Sequence, residues 1–184
     1  MVSLKRFFIL VIFALVLAGC THAVRQGNSG GAEQAAVAQV DGRFVKGESA
    51  PKVVATSFEG DEVDVSQFYG ERAVILDFWA GWCPFCIEEM PLLQKAQDQY
   101  GDDLVMIGVH RTDTESVAVG ERFSRERGVS YLLIQDGDGS LYRAAGGIGM
   151  PVAVFIDKQG VVQEIKSGPK TTEEIEEKTA RLIK

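Results

Sequence analysis

The chain has only two histidines and three cysteines in 184 residues. No second Cys-x-x-Cys and no His-x-x-x-His accompanies Cys83 and Cys86, so a structural zinc site would lack its second pair of ligands. Three cysteines are also too few for a disulfide scaffold, and an apolar core must hold the fold. Basic residues are outnumbered: 19 Lys and Arg stand against 26 Asp and Glu, for a formal net charge of -7. That excludes the basic footprint a nucleic-acid partner requires. No apolar run reaches the roughly 20 residues of a transmembrane helix, and no internal repeat occurs. What remains is 46% hydrophobic and 24% charged residues, the composition of a globular core. The length predicts one domain plus an extra segment.

The extra segment lies at the N-terminus. Lys5 and Arg6 precede the apolar stretch Phe7–Ala18, which has signal-peptide length and flanks. It ends in Leu17-Ala18-Gly19-Cys20. This run resembles the lipobox of bacterial lipoproteins, where cleavage precedes the cysteine and a diacylglycerol is joined to its sulfur. The resemblance implies a signal peptide over residues 1–19 and a membrane anchor on Cys20. It places the domain on the extracytoplasmic side of a bacterial cell envelope, the periplasmic side in a Gram-negative cell. The alternative is an ordinary signal peptide or uncleaved anchor, with Cys20 incidental. Residues 20–49 are rich in Gly, Ala, Gln and Asn, with Gly27-Asn28-Ser29-Gly30-Gly31 flexible by composition. They read as a tether, and His22 within it as inert.

From residue 50 the chain reads as alternating strands and helices. Val53–Ala55, a turn at Gly60-Asp61, and Val63 with Val65 predict a short hairpin. Ala73–Trp79 is nearly continuously apolar, as a strand buried on both faces should be. Pro84–Tyr100 reads as a helix with Ile87, Met90, Leu92 and Leu93 on its face and Gly101 at its end. Leu104–Val109 is a strand, Thr114–Arg127 a helix, and Tyr131–Ile134 a strand. Asp136–Gly139 is a turn. Val152–Ile156 and Val161–Ile165 form a hairpin about Lys158-Gln159-Gly160. Thr171 and Glu174 have capping-box spacing and open a final helix to Leu182. The order predicts an α/β fold with a central mixed β-sheet flanked by helices.

The chemistry centres on Trp82-Cys83-Pro84-Phe85-Cys86. Two cysteines one helical turn apart can close a disulfide, because the turn brings their Cα atoms within about 7 Å. Pro84 falls at the first helical position, where its missing N–H costs nothing. Cys83 then sits at a helix N-terminus, which favours an anion, and the thiolate is the attacking species in disulfide exchange. This predicts Cys83 as the exposed attacking thiolate and Cys86, one turn in, as the more buried resolving thiol. A structural disulfide is the competing reading. Asp77 interrupts the apolar strand six positions before Cys83. A buried carboxyl has a raised pKa, and Asp77 is read as carrying a proton to or from Cys86; a strand-end Asp with a local hydrogen bond is the alternative. Met150-Pro151 precedes a strand, where proline's missing donor is tolerated, and follows the glycine-rich loop Gly146, Gly147, Gly149. No cofactor is expected.

With these residues the segment from Ala50 to Lys184 resembles thioredoxin-fold proteins of the TlpA/ResA/DsbE type. Asp77 through Cys86 matches the strand–WCxxC run. Glu89 and Pro91 match the Cys-x-x-Glu-x-Pro continuation, and Pro91 is expected to kink the helix. Gly149-Met150-Pro151 matches the loop whose cis-proline faces the disulfide and holds the substrate chain extended. Ala50–Phe68 matches an N-terminal hairpin extension. The resemblance implies a thiol–disulfide oxidoreductase acting on protein thiols and disulfides, with Asp77, Cys83, Cys86 and Pro151 catalytic. Trp82, Pro84, Phe85, Met150 and Pro151 would bind substrate. A reductase role, such as keeping apocytochrome c cysteines reduced, implies a membrane thiol-electron donor. The Pro84-Phe85 dipeptide and Met150 depart from the usual pattern, and both bear on the direction of electron flow. An oxidant or isomerase, and a copper or apocytochrome chaperone using the same pair, are the alternatives.

Overall fold

The computed structural model describes residues 37–184. The signal-peptide and lipidation assignments, including Cys20, lie outside the described residues. The strands are β1 (Gln39–Val40), β2 (Val53–Ser57), β3 (Glu62–Asp64), β4 (Ala73–Trp79), β5 (Leu104–His110), β6 (Leu132–Gln135), β7 (Val152–Ile156) and β8 (Val162–Ser167). The helices are α1 (Pro84–Tyr100), α2 (Val117–Glu126), α3 (Ser140–Ala144) and α4 (Thr172–Leu182).

All the strands join one mixed sheet in the order β1-β2-β6-β5-β4-β7-β8, with β3 paired to β2. β4 runs parallel to β5, and β5 to β6, while β7 is antiparallel to β4. β4 is therefore central, as its apolar sequence demanded, and every one of its residues is buried. Its side chains alternate between two cores. Ala73, Ile75 and Trp79 face α1 and α4 with Leu93, Ile175 and Leu182. Val74, Leu76 and Phe78 face α3 and the N-terminal strap with Leu141, Ala38 and Phe44. Burying β4 alone removes several large apolar side chains from water, each worth about 1.5–3 kcal/mol.

Four local expectations change. The predicted tether reaches residue 49, but residues 37–49 belong to the domain: β1 pairs with β2, Ser49 bridges Val161, and Phe44 and Ala38 are buried. Phe44 stands between Arg43 and Val45, with Gly42 and Lys46 two positions away, which gives no periodic signal. The strand predicted through Val65 stops at Asp64, whose carboxylate accepts from the Ser66 amide at 2.9 Å and starts a 3-10 turn. The helix predicted from Thr114 begins at Val117, because residues 114 and 115 are committed to the redox loop described below. α3 stands where only a turn was expected; buried Asp136 accepts from the Leu141 and Tyr142 amides at 3.1 and 2.9 Å and seeds it. The capping box forms as read, with Thr171 and Glu174 each accepting from the other's amide. α1 continues through Pro91 to Tyr100, and Gly101 ends it at φ 51°. Among the described residues, no helix is long and apolar enough to cross a membrane.

Candidate active site

β4 delivers the chain to the redox pair through the turn Ala80–Cys83, closed by the Cys83 amide donating to the Ala80 carbonyl at 3.0 Å. Cys83 is the N-cap of α1, and the Cys86 amide points at its sulfur at 3.3 Å. The two cysteines form a disulfide with Cα atoms 5.3 Å apart. A sulfur at this position meets unpaired amides and the positive end of the helix dipole, which lower the cost of a thiolate on Cys83. Cys86 is fully buried. Cys83 is only 3% exposed, which corrects the expectation of an open thiolate. The neighbouring residues Trp82, Pro84 and Phe85 supply the exposed surface there. Trp82 and Phe85 are more than half exposed.

The peptide bond Met150–Pro151 is cis. Pro151 is buried, and Met150 packs against the core layer that contains both cysteines. The loop before it leaves Ile148 almost wholly exposed. Two residues unmarked by the sequence brace this loop. The Tyr142 hydroxyl donates to the Gly149 carbonyl at 2.9 Å, and the Arg111 guanidinium stacks 4.0 Å from the Tyr142 ring centroid. Arg111 also donates twice to Asp113 at 2.7 Å, which holds its guanidinium charged.

Asp77 lies in mid-strand and is fully buried, so the strand-end alternative does not apply. It has a partner the sequence did not reveal. The Lys170 ammonium, itself buried, sits 3.1 Å from Asp77 Oδ1 and donates to Glu89 Oε2 at 3.1 Å. The Lys170 amide donates to the other Glu89 oxygen. Glu89 is one turn beyond Cys86 on α1, so the acid and the thiol share a helix face. Burial pushes the Asp77 carboxyl up, and Lys170 offsets only part of it. Burial and then Asp77 push Glu89 up to about 7. Burial works against the Lys170 charge, but the two acids outweigh it and hold the ammonium above its usual value. Both carboxyls are thus held above their usual range while Lys170 keeps its charge. The Tyr131 phenol is raised by burial and then by both carboxylates.

Glu89 supplies a measurable pH effect. Folding raises its pKa from 4.5 to about 7. Between those values the folded state keeps a proton that the unfolded state has released, so stability falls as pH rises across that window. The cost at pH 8 is about 3 kcal/mol. Glu89→Gln lacks this titration. Denaturant unfolding at pH 4.5 and pH 8 should show the stability of Glu89→Gln relative to the unsubstituted protein improving by about 2–4 kcal/mol. A gap that does not change with pH would contradict the assignment.

Lys170, Arg111 and Tyr142 were missed by sequence reasoning. No local pattern separates Lys170 from a solvated lysine, since its partners are 81 and 93 positions away. Glu89 was noted only as a family match, without a partner.

The comparisons agree with this geometry. The Redoxin family model matches residues 45–182. The chain is 34% identical to the thiol-disulfide oxidoreductase ResA of Bacillus thuringiensis over 132 residues, 71% of this chain and 75% of that protein. Its fold matches a thiol:disulfide interchange protein of the thioredoxin family from Chlorobium tepidum, with a TM-score of 0.67 at 22% identity over 76% of this chain and 99% of that one. It also matches the exposed lipoprotein thioredoxin Etrx1 of Streptococcus pneumoniae, with a TM-score of 0.61 at 25% identity over 71% of this chain and 99% of that one. A disulfide capping the first turn of α1, a cis-proline loop and the family match converge, and the chain belongs to the Redoxin family as a thiol–disulfide oxidoreductase of thioredoxin fold.

Proposed function

We propose that this protein is a dithiol reductase of the bacterial cell envelope, anchored by a lipid on Cys20. It keeps protein thiols reduced, apocytochrome c cysteines among them, with electrons from a membrane thiol donor. The observation that carries the direction is the acid pair behind Cys86. With Lys170 between them, Asp77 and Glu89 have one more negative charge than the site can neutralise once both ionise. That disfavours a thiolate on Cys86, and a reduced pair without thiolate stabilisation gives up its electrons more readily.

In the reduced enzyme the Cys83 thiolate attacks one sulfur of the substrate disulfide. The substrate S–S bond breaks, its leaving sulfur takes a proton from solvent, and a mixed disulfide forms on Cys83. Cys86 loses its proton to the Asp77–Glu89 site and attacks the Cys83 sulfur. The second substrate sulfur leaves and takes that proton. Two electrons have passed to the substrate, and the Cys83–Cys86 disulfide remains, as in this structure. A donor dithiol restores the pair by the same exchange in reverse. Trp82, Pro84, Phe85 and Met150 supply an apolar seat for the polypeptide around the substrate cysteine, with Pro151 facing it.

A helix N-terminus that stabilises the Cys83 thiolate favours the opposite direction, an oxidant. The lipobox and the similarity to an exposed lipoprotein thioredoxin support the anchor. One experiment tests both parts. Cells expressing the full chain are fractionated, and free thiols are trapped with a maleimide that adds mass. The expected result is membrane-bound protein with Cys83 and Cys86 reduced, and release of Cys20→Ala from the membrane. A pair found oxidised in growing cells would sink the reductase reading. Membrane retention of Cys20→Ala would sink the lipid anchor.

A further inference from the structure

The turn that carries the redox pair is held from outside by one carboxylate. Glu115 lies in the loop between β5 and α2. Its Oε1 accepts from the Gly81 amide, two residues before Cys83, and lies 2.6 Å from His110 Nε2. His110 ends β5 and is fully buried. Its ring lies 4.5 Å from the Trp79 ring and 5.5 Å from that of Phe58, centroid to centroid. On the α2 side there is no room for it to turn: a Cβ on Gly120 would come within 2.6 Å of the imidazole. Gly81 is equally confined, since a Cβ there would meet Phe123 at 2.7 Å and Val119 at 2.8 Å. The adjacent residues repeat the connection. The Trp82 indole donates to Thr114 Oγ1 at 3.0 Å, and the Arg111 amide donates to the Trp79 carbonyl at 3.0 Å.

We infer that Glu115, oriented by His110, is a positioning residue of the exchange reaction. It fixes the Ala80–Cys83 turn so that the Cys83 sulfur stays at the N-terminus of α1. A ring nitrogen 2.6 Å from a carboxylate oxygen must carry a proton, so the contact requires His110 protonated on Nε2, with that N–H donating to Glu115; burial pushes the imidazole pKa down and favours the neutral ring. An amide donor and an imidazole donor meeting on one oxygen leave Glu115 little rotational freedom, and the glycine at 81 has no side chain to hold it otherwise. A loosened turn displaces the attacking sulfur, and a misplacement of about 1 Å can cost 10²-fold in rate. The inference rests on the exchange activity alone, not on its direction or on the anchor.

The test compares Glu115→Ala with Glu115→Gln. Gln keeps the oxygen acceptor for both donors and drops the charge. The readouts are the rate of Cys83 alkylation as a function of pH, the midpoint potential of the pair, and the thermal midpoint as a separate measure of folding. Glu115→Ala should slow Cys83 alkylation by roughly 10- to 100-fold at pH 7 and move the apparent thiol pKa upward. Glu115→Gln should restore most of the rate. An Ala variant that folds with unchanged rate and potential would overturn the inference, and so would equal losses in Ala and Gln. If the Ala variant does not fold, nitrogen NMR of the unsubstituted protein decides. The His110 proton must reside on Nε2, and a proton on Nδ1 would overturn the inference.

Discussion

Replacing Cys83 with serine should abolish disulfide exchange, lowering insulin reduction in the presence of dithiothreitol by more than about 10³-fold. A serine hydroxyl stays protonated near neutral pH, and an alcohol at the N-cap cannot form the mixed disulfide. Cys86→Ser should fail differently. Its Cys83 still attacks, but no second thiol resolves the product. The expected outcome is a persistent adduct between Cys83 and an aromatic disulfide reagent, absent from Cys83→Ser. The asymmetry follows from the geometry, since only Cys83 caps the helix and only Cys86 is fully buried. An adduct that forms on Cys86 in the Cys83 variant would reverse the roles assigned here.

The second large effect concerns stability. Lys170→Met removes the cation between Asp77 and Glu89 and leaves two buried carboxyls facing each other. Breaking a buried ion network by removing one partner typically costs about 3–5 kcal/mol, because an uncompensated charge stays behind. Here the cost depends on pH. At pH 8 both acids are driven to ionise in a site that now disfavours even one charge. At pH 5 Glu89 holds its proton and Asp77, also pushed upward by burial, is closer to its neutral form, so less charge is left uncompensated. Urea unfolding of Lys170→Met should therefore show a loss of about 3–5 kcal/mol at pH 8, falling to less than half of that at pH 5. A loss independent of pH would mean that Lys170 acts by packing its stem and not by its charge. Removing the acids along with the lysine should be milder, since a buried ion network replaced whole by apolar residues is often neutral.

The parts of this protein that could be read from sequence are those written in adjacent residues. Trp82 to Cys86 states its chemistry in a five-residue run, and the apolar run of β4 states its burial. Thr171 and Glu174 state a helix start. The parts that could not be read are joined across the fold. Lys170 meets Asp77 only because the turn after β8 leads back over the N-terminal half of α1. Glu115 looked like the first turn of a helix because Thr114-Glu115-Ser116 has the composition of one. Tertiary hydrogen bonds to Gly81 and Trp82 take precedence there, worth more than the few tenths of a kcal/mol of helix propensity they displace. Phe44 lay in a stretch with Gly42 and Lys46 two positions to either side, so no local alternation marked it as core. His110 ends β5, and nothing in the local sequence shows that its ring meets Glu115, the carboxylate that holds the redox turn.

The strap over residues 37–49 also shortens the leash. From the acyl anchor proposed on Cys20, 17 residues lead to Val37, against 30 to the boundary at residue 50 that composition suggested. Whatever path those residues take, chain geometry caps their span at about 60 Å where the longer count would have allowed about 100 Å. On that proposed anchor, docking Ala38 and Phe44 against the core shortens the longest span of the tether by about 40%. Lengthening the segment before Val37 would widen that range without altering the site, whereas releasing Phe44 would widen it at the expense of the core.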